Sequence, residues 1–242
     1  MIPAPAFLAN PERFMAFSRW AAPMFAAIAI ALALAGLWLG FTAPDDYQQG
    51  ATVKIMFIHV PAAWMSMFVY VCMGVASFLA LVFRHALADA AAQAAAPLGA
   101  AFTALALVTG SLWGRPMWGA WWVWDARLTS VLVLFLFYLA YMALRASLDD
   151  EAKAARAGAI LALVGLVNLP VVHWSVTWWN TLHQGASVFR KGGSTLAPVF
   201  LTPLLLMGLA YMAGFGALWL VRIRGEVWRR RAEAAALRAA RA

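Results

Sequence analysis

Six apolar runs, each long enough to cross a hydrocarbon layer as a helix, dominate this chain of 242 residues. A helix rises 1.5 Å per residue, so a crossing takes roughly 20 residues. The runs lie at 20–41, 55–83, 94–113, 128–144, 158–174 and 196–221. Lipid offers backbone N–H and C=O groups no partner, so such runs must satisfy themselves as helices. The expected fold is an all-α integral membrane protein of six transmembrane helices, one membrane domain over residues 1–242. Composition agrees. The chain is 65% hydrophobic and 12% charged, against about half and about a quarter in soluble domains. The second run is the longest and contains Pro61, so its outer end is expected to kink or lie along the interface. The first run, from near Arg19 to Phe41, is too long for the core of a cleavable signal peptide and reads as a span.

Charge sets the expected orientation. With both termini cytoplasmic, thirteen of the lysines and arginines fall inside and five outside, the split that the positive-inside rule favours. Seven of the thirteen stand between Arg222 and Arg241, in a basic cytoplasmic tail over 222–242. The net charge of +8 then reads as a topology signal and an attraction to anionic lipid. It does not read as a nucleic-acid surface, since no soluble basic domain is present to carry one. Three connections face outward, at 42–54, 114–127 and 175–195, and none is long enough for a folded domain. The single cysteine, Cys72, lies within an apolar run, so the chain can form no internal disulfide and has no C-x-x-C-H motif for covalent haem attachment. P-loop, H-E-x-x-H and G-x-S-x-G motifs are also absent.

The unusual residues gather at the outer connections. The stretch Trp113-Gly-Arg-Pro-Met-Trp118-Gly-Ala-Trp121-Trp122-Val-Trp124-Asp125-Ala-Arg127 holds five tryptophans in twelve positions. Trp174, Trp178 and Trp179 bring the outer total to eight of the chain's thirteen. An aromatic belt anchors both faces of a membrane, with one or two rings per helix end. This set is dense and one-sided. Gly114, Pro116 and Gly119 are expected to break the helix before the aromatics and shape a tryptophan-rich periplasmic loop over 114–127. Flat indole walls suit a planar π-system. Asp125 fits an N-cap of the fourth span or an ion pair, and with Arg127 it also fits a role in positioning the aromatic loop or meeting charged ligand groups.

Two histidines, His59 and His183, lie on the same expected side, in Ile58-His-Val-Pro61 and Thr181-Leu-His-Gln-Gly185. Either alone reads as a hydrogen-bonded interfacial side chain. As a pair beside a tryptophan wall they read as the two axial ligands of a haem iron. His173 reads as packing and His85 as an inner-face anchor. Cations for the ligand's carboxylates could come from Lys54, Arg115, Arg127, Arg190 or Lys191.

The run from Trp113 to Arg127, followed by Leu-Thr, resembles the "WWD" signature of haem-handling membrane proteins. With six spans, this length and flanking outer histidines, the chain is similar to the CcmC (haem exporter protein C) family of the bacterial system I cytochrome c maturation pathway. The resemblance implies a multi-pass protein of the bacterial inner membrane that binds non-covalent haem b at its periplasmic face. It makes His59 and His183 the axial ligands, with Trp113, Trp118, Trp121, Trp122, Trp124, Asp125 and Arg127 as the platform. It implies delivery of haem to the chaperone CcmE, and an assembly with the small single-span CcmD and the ABC subunits CcmA and CcmB. Such a chain handles and transfers a cofactor, with no sign of an enzyme's machinery. Two other readings compete: a bis-histidine b-type haem redox protein of the membrane, and a transporter permease subunit.

Overall fold

The computed structural model describes residues 10–185 and 187–240. The last two tail residues, Arg241 and Ala242, lie outside the described residues. Among these residues the chain forms seven α-helices: α1 (Pro11–Thr42), α2 (Met56–Phe83), α3 (Ala86–Trp118), α4 (Ala126–Ala146), α5 (Glu151–Gly165), α6 (Asn168–Trp178) and α7 (Pro198–Ala239). One 3-10 turn, Ala51–Ile55, leads into α2. Six segments are long and apolar enough to cross a membrane, with α5 and α6 together making the fifth. The chain is thus an all-helical, six-span membrane protein.

The two terminal helices pack along one another, and Arg231 of α7 reaches Glu12 of α1 at 2.6 Å. The start of α1 and the end of α7 therefore share one end of the bundle. At that end Phe14, Leu87, Ala90, Ala94, Ile223 and Val227 form a small buried cluster. The central core is larger and joins α2, α3, α4, α5 and α7 through Tyr70, Met73, Ala95, Tyr138, Ala162 and Phe215. Membrane helices approach closely where one presents a small residue. Gly99 of α3 lies flat against the ring of Tyr138, and Gly165 of α5 against Tyr70, so that a Cβ at either glycine would overlap the phenol. Tyr138 then donates to the Ser66 carbonyl at 2.8 Å, tying α4 to α2.

The fifth crossing is broken at Leu166 and Val167, whose amides bond three residues back instead of four. Pro170 explains the break. It has no N–H, and its ring excludes the carbonyl four residues earlier, that of Leu166. Asn168 closes the gap by donating its side-chain amide to the Ser130 carbonyl at 2.9 Å, which seats α6 against α4.

Several boundaries differ from the sequence expectation, and three of the differences have a clear physical reason. The third span starts at Ala86, not Ala94. Its early Asp89 is buried but paired with Arg145 of α4 and Arg230 of α7, so the charge does not interrupt the helix. The turn before it is only Arg84 and His85, with Arg84 in the left-handed region at φ 53°. His85 caps α3 by accepting from the Ala88 amide. The basic tail is also helical, so α7 runs for 42 residues, about 63 Å at 1.5 Å per residue, or twice the hydrocarbon thickness. Good helix formers and ion pairs explain this: Arg229–Glu233 at 2.6 Å and Arg230–Glu226 at 2.7 Å, both at i,i+4 spacing. Finally, Gly114 and Pro116 do not break α3. It continues to Trp118 and ends at Gly119, which takes the left-handed conformation with φ 77° and returns its N–H to the Arg115 carbonyl. Pro116 sits within the last turn, where the loss of one backbone bond is tolerated.

Candidate functional site

The site forms at the end of the bundle opposite the start of α1 and the end of α7. Helix α2 brings His59 on its first turn, and α3 faces it with Ala106, Thr109, Gly110 and Trp113. These four sit at i, i+3, i+4 and i+7 and so share one helical face. Gly110 leaves room for the imidazole, since a Cβ there would stand 2.9 Å from His59 Cε1. Thr109 Oγ lies 3.1 Å from His59 Nδ1 and 2.6 Å from the Leu105 carbonyl. A hydroxyl has one proton to give. That proton goes to the carbonyl, so Oγ accepts from His59 and the imidazole proton is placed on Nδ1. With the proton on Nδ1, the lone pair is on Nε2.

His183 is set up in a parallel way by a different group. It lies in the non-helical segment between α6 and α7, 179–197, and is half-buried. Asp125 N-caps α4 by accepting from the Leu128 amide at 2.7 Å through Oδ1. Its Oδ2 lies 3.4 Å from His183 Nδ1 and also accepts from the Thr181 hydroxyl. A carboxylate only accepts, so His183 too carries its proton on Nδ1, with the lone pair on Nε2. Burial pushes the His183 imidazole below its ordinary pKa and favours the neutral ring, against Asp125, whose negative charge favours the charged one. Burial works against the Asp125 carboxylate, yet its bonds from Thr181 and Leu128 and the neighbouring His183 hold it below the usual carboxylate range.

Both histidines line one cavity, together with Ser66, Trp118, Trp122, Arg127 and Val172 among others. Its free volume is about 70 Å³, space for roughly two waters. Trp118 meets His183 edge-on, with ring centroids 4.8 Å apart, and Trp113 meets His59 edge-on at 5.6 Å. Trp113 is itself fixed by donating to the Gln49 side chain at 2.9 Å. Trp122 buries its indole N–H without a partner among the described residues. Such an orphan donor costs about 1–3 kcal/mol, an expense that a ligand acceptor would offset. Arg127 is held by Ser175 Oγ at 2.7 Å and the His173 carbonyl at 3.4 Å, which docks α6 onto the start of α4.

The predicted platform is therefore divided. Trp118, Trp122 and Arg127 line the cavity, whereas Trp113 packs behind His59 and Asp125 behind His183. Trp121 and Trp124 stand outside it, 57% and 75% exposed. Trp121 instead borders a groove along α3 with Leu107, Val108, Ser111 and Leu112. Trp174, Trp178 and Trp179 form a separate exposed row on α6, their successive centroids 5.4 and 5.7 Å apart. The exposed His173 ring meets that of Trp174 edge-on, with centroids 5.3 Å apart. Among the other cations, Lys54 pairs with Asp45 at 3.4 Å, and Arg115 donates to the Gly119 carbonyl. Sequence reasoning did not single out Thr109, Gly110 or Gln49. The i,i+4 spacing of Thr109 and Trp113 on one helix face was the available signal. Among the described residues no group of three or more His, Cys, Asp or Glu side chains could hold a bare metal ion. A haem needs no such group, because the porphyrin supplies four of the six iron ligands.

Comparison with known proteins places this geometry in context. The model of the family described as CcmC, heme exporter protein C, matches residues 5–238. Curated relatives with the name "Heme exporter protein C" include one from Bradyrhizobium diazoefficiens, 61% identical over 224 residues, which span 93% of this chain and 85% of the relative. One from Paracoccus denitrificans is 47% identical over 235 residues, 97% of this chain and 98% of the relative. One from Escherichia coli is 46% identical over 221 residues, 91% of this chain and 89% of the relative.

Proposed function

Because the chain belongs to the heme exporter protein C family, we propose that it binds haem at the periplasmic end of its bundle and delivers it during cytochrome c maturation. His59 and His183 are the axial ligands. The observation that carries this is the pair of imidazoles lining one aromatic cavity, each held at Nδ1 by an oxygen acceptor. Metal-ligating histidines characteristically give their other N–H to a carboxylate or another oxygen acceptor. Trp118 and Trp122 supply the apolar wall for the macrocycle. Trp122 N–H and Arg127 are the polar groups that meet its carboxylates.

The closed cavity is far below the roughly 300–1,000 Å³ of pockets that enclose a small-molecule ligand. Admission of haem therefore widens the cavity between His59 and His183 and leaves one macrocycle edge exposed. That edge is where a haem chaperone, CcmE in this pathway, takes over the cargo. The haem is non-covalent b-type, since the chain has no C-x-x-C-H motif. In this reading the site faces the periplasm of the bacterial inner membrane, both termini are cytoplasmic, and CcmA, CcmB and CcmD complete the assembly. The protein's contribution is orientation and proximity.

The test is transfer from the purified full chain, loaded with haem, to the purified chaperone. Chaperone haem should rise as chain haem falls. His59→Ala and His183→Ala should each abolish transfer. Undiminished transfer by either variant would exclude the ligand pair.

A further inference from the structure

The two imidazoles are backed by chemically different groups. Behind His59 stands a neutral hydroxyl, Thr109 Oγ, whose own proton is committed to Leu105. Behind His183 stands the carboxylate of Asp125. A hydrogen bond to a carboxylate gives an imidazole partial imidazolate character and makes Nε2 the stronger donor. A bond to a hydroxyl does so far less. The supports differ as well. His59 is on a span helix, seated in the cleft that Gly110 leaves on α3. His183 is outside the helices, between α6 and α7, hydrogen-bonded with Thr181 to Asp125 and packed edge-on against Trp118.

Building on the ligand pair proposed above, we propose that the site is unequal by construction: Thr109 positions His59 as the weaker, releasable ligand, while Asp125 makes His183 the anchor. Release begins with the bond to His59. The cargo then stays with His183 and the Asp125 that holds it. His59 cannot follow, because its helix is packed into the core. The cargo edge that opens first is the one that faced α2. Thr109 is a positioning residue here, since it acts through His59.

The test uses carbon monoxide on the full-length protein in detergent, loaded with haem and reduced with dithionite. Carbon monoxide replaces the weaker axial imidazole, and the Fe–CO stretching frequency reports the donor strength of the one that remains. The expected result is that His59→Ala gives the wild-type frequency and His183→Ala does not. Asp125→Asn, which keeps an N-cap acceptor, should shift the frequency. Thr109→Val should leave it unchanged while tightening carbon monoxide binding by about tenfold, the low end of the usual effect of losing an outer partner. Thr109→Ser should restore wild-type affinity. The proposal is overturned if His183→Ala keeps the wild-type frequency and His59→Ala does not, or if Thr109→Val moves the frequency as Asp125→Asn does. Failure of the underlying ligand pair looks different: the low-spin spectrum of the oxidised protein, before carbon monoxide is added, would survive both histidine substitutions.

Discussion

Asp125 caps helix α4 with one carboxylate oxygen and holds His183 with the other, 3.4 Å from the imidazole Nδ1. One side chain thus couples the start of a span to a ligand candidate 58 positions away in the chain. Asp125→Ala removes both functions. Loss of the cap costs about 1 kcal/mol, and loss of the outer partner lowers haem affinity by about 10–100-fold. Asp125→Asn keeps the cap and should show the affinity loss without most of the stability loss. Haem titration beside thermal unfolding in detergent separates the two effects.

The contact of Gly165 with Tyr70 gives a prediction about packing alone. A methyl at position 165 overlaps the phenol, which has no room to retreat among Phe137, Tyr138 and Met73. Gly165→Ala should destabilise the bundle by about 1–3 kcal/mol. Tyr70→Phe in the same background should recover part of that, because the hydroxyl is the colliding atom and Tyr70 OH has no partner among the described residues. Thermal midpoints of the single and double variants check this.

At the opposite end, Asp89 is buried with two cations, Arg145 and Arg230. Removal of one partner from a buried pair costs about 3–5 kcal/mol when it leaves the charge alone. Here Arg230 remains, so Arg145→Ala should cost clearly less than Arg145→Ala with Arg230→Ala. Asp89→Asn in the double variant should restore stability. Comparison of unfolding midpoints across the series tests whether this network pins the α7 extension to α3 and α4.

Much of the fold was legible because hydropathy over some twenty residues is a strong signal, and each of the six apolar runs overlaps one of the six segments long and apolar enough to cross a membrane. The ends were less so. Whether α3 begins at residue 86 or 94 depends on Arg145 and Arg230 reaching Asp89, contacts that arise from positions 56 and 141 residues away. Helix in the tail depends on Glu226 and Glu233 answering the arginines, which a count of positive charge does not reveal. The cap at Asp125 was readable locally. The coupling of Asp125 to His183 was not, since it needs the Pro170 break to bring α6 and the following segment back over α4. Thr109 was hidden for another reason: within an apolar span its hydroxyl looks like any threonine bonding its own helix.

Orientation can be tested with single cysteines in a Cys72→Ser background, in intact cells. Leu182→Cys, exposed beside His183, should react with a membrane-impermeant maleimide added outside. Ala236→Cys, in the tail, should react only after the inner membrane is opened. The reverse pattern would place the histidines at the cytoplasmic face.

The most direct measurement is the low-temperature electron paramagnetic resonance spectrum of the oxidised, haem-loaded protein and of its His59→Ala and His183→Ala variants. Two imidazoles on one ferric iron give a low-spin signal in the unaltered protein. Each single substitution should replace it with a high-spin signal. A low-spin signal unchanged by either substitution would contradict the account.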